Sequence, residues 1–355
     1  MSDAAPTIAP ASTGTGSAGA GPLLEVKDLR IHFATDFGVV KAVDGVSYSV
    51  NRGETLAIVG ESGSGKSVGA LGIMGLVPPP GKVVSGSILF NGVDLVGLGD
   101  DEIRKLRGNR IAMIFQDPLT SLNPVHSVGR QVAEVLRIHG SGGRKEANSE
   151  AVELLKMVGI QNAEERFRDY PHQFSGGMRQ RVMIAMAIAM KPALIIADEP
   201  TTALDVTIQA QILDLLRSLQ REFSMSLILI THDLGMVAEH ADKVAVMYAG
   251  HIVETAGVDD LYYNPLHPYA LGLLGSIARL DQERQERLSP IYGQPPSLIR
   301  VPPGCPFHPR CAYARAKCVS DYPELIPRPA DPSHPAACHF AGDLPSPHVP
   351  GEIPS

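Results

Sequence analysis

The stretch Gly60-Glu-Ser-Gly-Ser-Gly-Lys-Ser67 determines how the rest of the sequence is interpreted. It follows the apolar segment Thr55–Val59, which predicts a short buried strand, and it precedes a second apolar segment that predicts a helix. Its glycines allow the backbone to turn N–H groups inward around phosphate oxygens, and the helix adds the positive end of its dipole. In this context the pattern G-x-x-x-x-G-K-S predicts a nucleotide phosphate loop.

Two side chains of this phosphate loop carry specific chemistry. Lys66 can reach the β- and γ-phosphates and neutralise their charge, and the Ser67 hydroxyl can ligate Mg²⁺. The predicted nucleotide-binding residues of the loop are Gly60, Glu61, Ser62, Gly63, Ser64, Gly65, Lys66 and Ser67.

A pair of carboxylates supplies the second half of a hydrolytic site. The four apolar residues 194–197 predict a buried parallel strand, and Asp198 and Glu199 stand at its carboxyl end. Ligands of α/β sheets bind at that edge. We therefore expect Asp198 to join the Mg²⁺ shell and Glu199 to orient or deprotonate the attacking water.

Three further stretches carry polar residues beside predicted strands or helices. Residues 111–115 and 227–230 predict strands that lead into Gln116 and His232. Ser175-Gly176-Gly177 opens a long apolar helix, and the glycine pair exposes the N–H groups of that helix start. Free N–H groups and the helix dipole predict a second site for phosphate.

Composition and charge exclude several classes of protein. The chain has 355 residues, a formal net charge of −7, 44% hydrophobic residues and 19% charged residues. The acidic balance argues against a broad nucleic-acid surface. No apolar run approaches the ~18 residues needed to span a bilayer. Residues 1–21 lack the basic and apolar regions of a signal peptide and predict a disordered tail, which favours a cytoplasmic location.

The order of these motifs resembles the ATPase subunit of an ABC transporter. The resemblance runs from Leu24 to about Val258 and includes Ala203-Leu204-Asp205 between the carboxylate pair and His232. It implies an α/β fold: an ABC-type P-loop domain with a RecA-like core, an antiparallel β subdomain and a helical subdomain. Here the helix start reads Phe-Ser-Gly-Gly-Met rather than the commoner Leu-Ser-Gly-Gly-Gln, and only its flanking positions differ.

The resemblance also implies roles for individual residues in a head-to-tail dimer. ATP would lie between one subunit's phosphate loop and the Ser175-Gly176-Gly177 helix of the other. Gln116 would touch Mg²⁺ and sense the γ-phosphate, and His232 would contact that phosphate. The Asp205 loop would link the two sites.

The family places an aromatic ring on the adenine, ahead of the phosphate loop. Spacing favours Phe33, and Phe37 is the alternative. Phe33 ends a strand predicted at residues 24–33, and Phe37 lies in the loop that follows it. That loop leads to a second strand predicted at 46–50.

The segment before the Ser175 helix fits the helical subdomain that docks on membrane subunits in this family. Residues 128–139 and 150–158 are amphipathic and flank a Gly/Ser-rich break. The stretch at residues 115–124 closely resembles the peptide-importer branch. We expect an ATPase domain at 22–260, with its helical subdomain at about 117–185.

All four cysteines lie in the C-terminal region, at Cys305, Cys311, Cys318 and Cys338. Disulfides are disfavoured in a reducing compartment, and spacing alone leaves zinc and a 4Fe-4S cluster as alternatives. The region resembles the extension of oligopeptide and dipeptide permease ATPases, which implies the cluster. We expect a small proline-rich, cysteine-stapled domain at 261–340, cored separately from the ATPase domain, and a tail at 341–355.

The resemblance predicts an ATPase that powers uptake of oligopeptides or dipeptides from the cytoplasmic face of the membrane. The expected partners are two transmembrane permease subunits, a second, related ABC ATPase chain and an extracellular peptide-binding protein. Nickel or glutathione import by the same chemistry is the alternative. A soluble ABC ATPase acting on nucleic acid or ribosomes is a further one, but it fits the single phosphate loop and the acidic charge poorly.

Overall fold

A computed structural model of the chain describes residues 21–140, 142–202, 204–276, 291–328 and 331–344. The tail predicted at residues 1–21 lies outside these ranges except for Gly21, and so does Ala203. Of the tail predicted at 341–355, only residues 341–344 are described.

Within the described ranges, ten strands form two sheets, one antiparallel with the order β2-β1-β4-β5 and one mainly parallel with the order β10-β9-β3-β8-β7-β6. The strands are β1 (Leu24–Thr35), β2 (Gly38–Val50), β3 (Thr55–Val59), β4 (Gly81–Phe90), β5 (Val93–Asp94), β6 (Ile111–Ile114), β7 (Leu194–Asp198), β8 (Ser226–Thr231), β9 (Lys243–Tyr248) and β10 (His251–Gly257).

Helices occur between many of the strands and after the last strand, β10. They are α1 (Lys66–Ile73), α2 (Asp100–Leu106), α3 (Pro118–Ser121), α4 (Val128–His139), α5 (Arg144–Met157), α6 (Ala163–Arg166), α7 (Gly176–Ile188), α8 (Val206–Phe223), α9 (Leu234–His240), α10 (Val258–Tyr263), α11 (Pro268–Gly275) and α12 (Ala316–Ser320).

The central strands of the parallel sheet consist mostly of consecutive apolar residues, without the alternation of apolar and polar residues that marks a strand with one exposed face. Every residue of β3, β7 and β8 is buried, as expected for strands covered on both faces. The predicted bounds of β3 are confirmed. The observed β6 and β7 differ from their predictions by one residue at the carboxyl end, and β8 differs by one residue at each end. The strand ends that carry Asp198 and Thr231 therefore lie at one edge, beside the phosphate loop after β3.

The antiparallel sheet corrects one prediction. The second strand begins at Gly38 rather than at residue 46, so only a two-residue turn at Asp36 and Phe37 separates it from β1. Residues 38–45 include Lys41 and Asp44, whose polarity concealed the strand. The two side chains form an ion pair at 3.2 Å on a half-exposed face, so the ladder tolerates them.

The helices after β6 pack together and against one face of the parallel sheet. Helices α4, α5, α7 and α8 contribute to one hydrophobic cluster, which also includes residues of β6, β7 and β8. The predicted helix at 128–139 is confirmed, and the one predicted at 150–158 begins earlier, at Arg144.

The C-terminal region shares its hydrophobic core with the edge of the parallel sheet. Phe307 and Cys311 belong to the same cluster as Val59 of β3 and Tyr248 of β9. The expectation of a separate core is therefore not met, because the short, proline-rich segments bury their few apolar residues against the sheet.

None of the helices in the described part of the chain has the length and apolar character needed to span a bilayer.

Candidate functional site

The phosphate loop runs from the end of β3 to the start of α1, and close backbone contacts require two of its glycines. A Cβ atom at Gly60 would lie 2.1 Å from the carbonyl oxygen of Met247. A Cβ atom at Gly65 would lie 2.1 Å from the carbonyl oxygen of Ala42, and Gly65 has a φ of +106°. Only glycine avoids both contacts, so the sequence pattern reflects the packing of the loop against β9 and β2.

Lys66 lies buried under the loop, with only 5% of its surface exposed. Its Nζ donates hydrogen bonds to the carbonyl oxygens of Gly60 and Glu61, at 2.8 Å and 3.0 Å. Burial lowers the pKa of Lys66, and the carboxylates of Glu199, Asp198 and Glu61 oppose that shift. The ammonium group is thus fixed inside the loop, where it can attract an anion.

Ser67 and Asp198 bring an oxygen pair together at the start of α1. The Ser67 hydroxyl donates to Asp198 Oδ1 at 2.9 Å, and Asp198 is 6% exposed. Burial raises the pKa of Asp198, the hydrogen bond from Ser67 opposes this, and the charge of Glu199 adds to it. A hydroxyl and a carboxylate at this distance are a donor set that suits Mg²⁺.

Glu199 is the centre of a polar cluster beside this oxygen pair. Its Oε2 accepts hydrogen bonds from Gln116 Nε2 at 3.0 Å and from Thr202 Oγ1 at 2.9 Å. His232 Nδ1 lies 3.5 Å from its Oε1. The backbone of Glu199 has a φ of +44°, which is strained for a residue with a side chain and is typical of functional positions.

One open cleft with a volume of about 960 Å³ is lined by charged and polar side chains of this site. The wall of the cleft includes the predicted residues Phe33, Gly60, Glu61, Ser62, Gly63, Gly65, Lys66, Ser67, Gln116, Glu199 and His232. A cleft of this size, with cationic and carboxylate groups on one wall, can hold an anionic nucleotide and direct a water molecule at it.

The structure separates the two aromatic candidates. Phe33 lines the cleft and packs against Gly81, where a Cβ atom would lie 2.3 Å from its ring. Phe37 is 88% exposed in the β1–β2 turn and is not part of the cleft wall. Leu273, Pro295 and Leu298 of the C-terminal region complete the wall, which the sequence motifs did not predict.

The Ser175 helix start lies away from this cleft. Ser175 caps α7, since its Oγ accepts a hydrogen bond from Met178 N at 3.4 Å. Ser175 and Gly176 are exposed, and Gly177 is half-buried against Ile208. None of the three lines the cleft.

Asp205 also occupies a capping position. Its Oδ1 accepts a hydrogen bond from Ile208 N at 3.0 Å at the start of α8, and the residue is exposed. In the single chain its contact is therefore with its own helix, and it does not line the cleft.

The four cysteines line one small cavity together with Phe307, Phe340 and His267. The cavity volume is about 10 Å³, which is space for about one water molecule. Within the described residues, no three or more His, Cys, Asp or Glu side chains are arranged as a metal site. Burial raises the pKa of Cys305 and Cys311 to about 12 and that of Cys338 to about 11.

The four thiols are suitable ligands for a metal, but the cavity between them is too small for a 4Fe-4S cluster. Four thiols converge on one apolar-walled cavity, which is the chemistry that both zinc and iron–sulfur clusters use. The cavity would have to widen for a cube of iron and sulfide, and less for a single ion.

Several residues of the site carried no local sequence signal. Thr202 supports Glu199, and Tyr269 and Arg310 contact Glu61 of the phosphate loop. The sequence around Arg310 predicts a functional site only through its cysteines. Nothing in a sequence pattern pairs Arg310 with a residue 249 positions away.

Comparison with protein families gives two matches along the chain. A family described as "ABC transporter" matches residues 43–202, and one described as "Oligopeptide/dipeptide transporter, C-terminal region" matches residues 253–318. The second match contains three of the four cysteines and ends before Cys338.

Individual relatives extend the similarity over most of the chain. The oligopeptide transport ATP-binding protein OppD of Bacillus subtilis is 57% identical over 82% of this chain and 82% of its own length. The dipeptide transport ATP-binding protein DppD of the same organism is 54% identical over 85% of this chain and 90% of its own. OppD of Escherichia coli is 53% identical over 85% of this chain and 89% of its own length.

A solved structure agrees with the fold. The ATP-binding cassette MJ0796, in a dimeric post-hydrolysis state bound to ADP and phosphate, superposes with a TM-score of 0.60 at 29% identity. The match covers 66% of this chain and 98% of that one.

Proposed function

Because the chain belongs to the family of ABC-transporter ATP-binding subunits for oligopeptides and dipeptides, we propose that its cleft hydrolyses MgATP to power peptide import. The relatives named for peptide transport align over more than four-fifths of the chain, so its activity is that of the ATPase subunit of a peptide importer. The single observation that carries the assignment of the site is the convergence of Lys66, Ser67 and Glu199 on one cleft, with Asp198 hydrogen-bonded to Ser67.

The phosphate loop binds the triphosphate of ATP. Its inward N–H groups and the start of α1 receive the phosphate oxygens, and Lys66 balances their charge. Ser67 and Asp198 hold Mg²⁺, because their oxygens already lie 2.9 Å apart. When bound, Mg²⁺ neutralises charge on the phosphates. Phe33 stacks on the adenine, since it is the predicted ring that lines the cleft.

Glu199 orients the attacking water and accepts its proton. Hydrogen bonds from Gln116 and Thr202 fix one carboxylate oxygen, which leaves the other oxygen directed toward His232 and the cleft. Gln116 senses the γ-phosphate from this position, and His232 contacts that phosphate.

Ser175, Gly176 and Gly177 bind the nucleotide of a second ATPase subunit. Their exposure and their distance from the chain's own cleft support this, and the related cassette MJ0796 was solved as a dimer. The Asp205 loop, which follows the carboxylates and caps α8, links the two sites of such a dimer.

The assembly comprises two transmembrane permease subunits, a second, related ATPase chain and an extracellular peptide-binding protein. We assign residues 22–260 to the ATPase domain and 117–185 to the helical subdomain that contacts the permeases. Leu119 and Val125 of this subdomain are 64% and 72% exposed, which supports an apolar docking surface there. This arrangement places the chain on the cytoplasmic face of the cell membrane.

The cysteine cavity holds a 4Fe-4S cluster in the extension at 261–340, with zinc as the alternative. Four thiols around one cavity support a tetrahedral set of thiolate ligands. The raised pKa values of Cys305, Cys311 and Cys338 mean that metal binding must displace protons from these thiols.

The experiment that tests the proposed function uses the full chain reconstituted with its permease subunits and peptide-binding protein in vesicles. We expect ATP-dependent accumulation of a labelled oligopeptide, and no accumulation with a Lys66→Ala chain. ATP hydrolysis stimulated by duplex nucleic acid instead of by the permeases would contradict the proposal.

A further inference from the structure

Glu61, the second residue of the phosphate loop, is held through its side chain, its amide and its carbonyl group at once. Its carboxylate accepts two hydrogen bonds from the Arg310 guanidinium, at 2.6 Å and 2.9 Å. Its backbone N–H donates to Tyr269 Oη at 2.8 Å. Its carbonyl oxygen accepts from Lys66 Nζ at 3.0 Å. Glu61 therefore connects the C-terminal region with the lysine that faces the cleft.

Arg310 is built to stay in this position. Its side chain is 5% exposed, its Nε donates to the carbonyl oxygen of Tyr292 at 3.0 Å, and its Nη2 donates to that of Gly293 at 3.2 Å. Burial opposes its charge, but hydrogen bonds with Glu61 and Tyr248 outweigh this and raise the pKa of Arg310. A bidentate, buried guanidinium of this kind fixes both the charge and the direction of its partner.

Tyr269 is equally constrained. It is fully buried at the start of α11, with its ring centroid 4.6 Å from that of Tyr248 and 5.4 Å from that of Phe307. Phe307 and Arg310 both lie between Cys305 and Cys311 in the sequence. The segment that carries the cysteines therefore also carries the contacts that fix the phosphate loop.

The charge of Glu61 explains why this contact matters for an anionic ligand. Glu61 lines the same cleft as Lys66, whose Nζ lies 3.0 Å from the Glu61 carbonyl oxygen, so Glu61 is part of the wall at which phosphates are proposed to bind. An unpaired carboxylate there would repel a triphosphate. Pairing with Arg310 removes that repulsion and leaves the carbonyl of Glu61 free to orient Lys66.

We propose that Arg310 and Tyr269 are positioning residues that hold Glu61 so that the phosphate loop accepts ATP, and that the C-terminal region thereby sets the ATP affinity of the chain. This inference rests on the proposed function, because it takes ATP to be the ligand of the loop.

The decisive experiment compares Arg310→Gln with the double variant Glu61→Gln/Arg310→Gln in the full-length chain. The dissociation constant of a fluorescent ATP analogue with Mg²⁺ is measured for each, and the melting temperature monitors folding. We expect Arg310→Gln to weaken binding at least ~10-fold, within the range of couplings between contacting charges. The double variant should recover most of the lost affinity, because the repelling carboxylate is gone.

Three further variants distinguish a positioning role from general structural support. Tyr269→Phe removes only the hydroxyl and should weaken binding about fivefold, the value of one hydrogen bond of ~1 kcal/mol. Arg300→Gln and Tyr292→Phe are matched controls, since both residues are exposed in the same region, and they should leave affinity unchanged.

The outcomes are distinguishable. An unmodified chain that fails to bind the ATP analogue would refute the proposed function itself. Normal binding by Arg310→Gln would overturn the positioning role, and so would a loss that Glu61→Gln does not restore, because that pattern indicates general structural support only.

Discussion

Gln116 and Glu199 stand 83 positions apart in the sequence, yet Gln116 Nε2 donates a hydrogen bond to Glu199 Oε2 at 3.0 Å. The two residues follow the carboxyl ends of the neighbouring parallel strands β6 and β7, so the register of the sheet brings them together. The group proposed to sense the γ-phosphate is thereby in direct contact with the group proposed to orient water.

The first prediction follows from this contact. Glu199→Gln should keep the hydrogen bonds to Gln116 and Thr202, because an amide oxygen can still accept them, but it cannot take a proton from water. We expect ATP binding to persist while turnover falls at least ~100-fold. Steady-state ATPase assays and nucleotide binding measure the two quantities. Turnover close to that of the unmodified chain would transfer the catalytic role to another residue.

The second prediction concerns the adenine. Phe33→Leu keeps an apolar side chain against Gly81 but removes the aromatic face from the cleft. We expect ATP affinity to fall roughly 5- to 150-fold, from ~1–3 kcal/mol per stacked base, and Phe33→Tyr to retain it. Phe37→Leu is the matched control, since that ring is 88% exposed. Inorganic tripolyphosphate, which has no base, should bind Phe33→Leu normally; an equal loss for both ligands would argue against stacking.

The third prediction tests the exposed helix start. Ser175→Asp preserves the cap of α7, because aspartate caps helices as well as serine, but it places a negative charge beside the proposed partner nucleotide. We expect ATP binding by the single chain to be unchanged and ATP hydrolysis by the assembled transporter to be lost.

Ser175→Asn is the control, because asparagine caps a helix with a similar shape and no charge. It should hydrolyse ATP much faster than Ser175→Asp. Loss of ATP binding by the isolated Ser175→Asp chain would instead assign this helix start to the chain's own site.

The fourth prediction concerns the cysteine cavity. Protein purified without oxygen should be brown, absorb broadly near ~400 nm and contain about four irons per chain. Replacing any one cysteine, for example Cys318→Ser, should bleach the colour and make the region after Tyr292 sensitive to protease. Colourless protein with one zinc per chain would confirm ligation but change the metal, and thiols that all react freely would remove the site.

The sequence by itself determined the elements whose signals are local. The strand Thr55–Val59 was predicted with its bounds and the strand Leu194–Asp198 to within one residue, because apolar runs, glycines and terminal carboxylates occur within a few residues of each other. The start of β2 was missed because Lys41 and Asp44 break its apolar pattern, and only pairing with β1 shows that their charges balance there.

The tertiary structure alone decided which distant groups meet. It placed Phe33 in the wall of the cleft and left Phe37 exposed, placed Ser175 outside the cleft wall and gathered the four cysteines at one cavity. It also joined Arg310 to Glu61 across 249 positions. A hydrogen bond or ion pair depends on where two strands or helices lie after the chain has folded, and residue order carries no direct record of that distance.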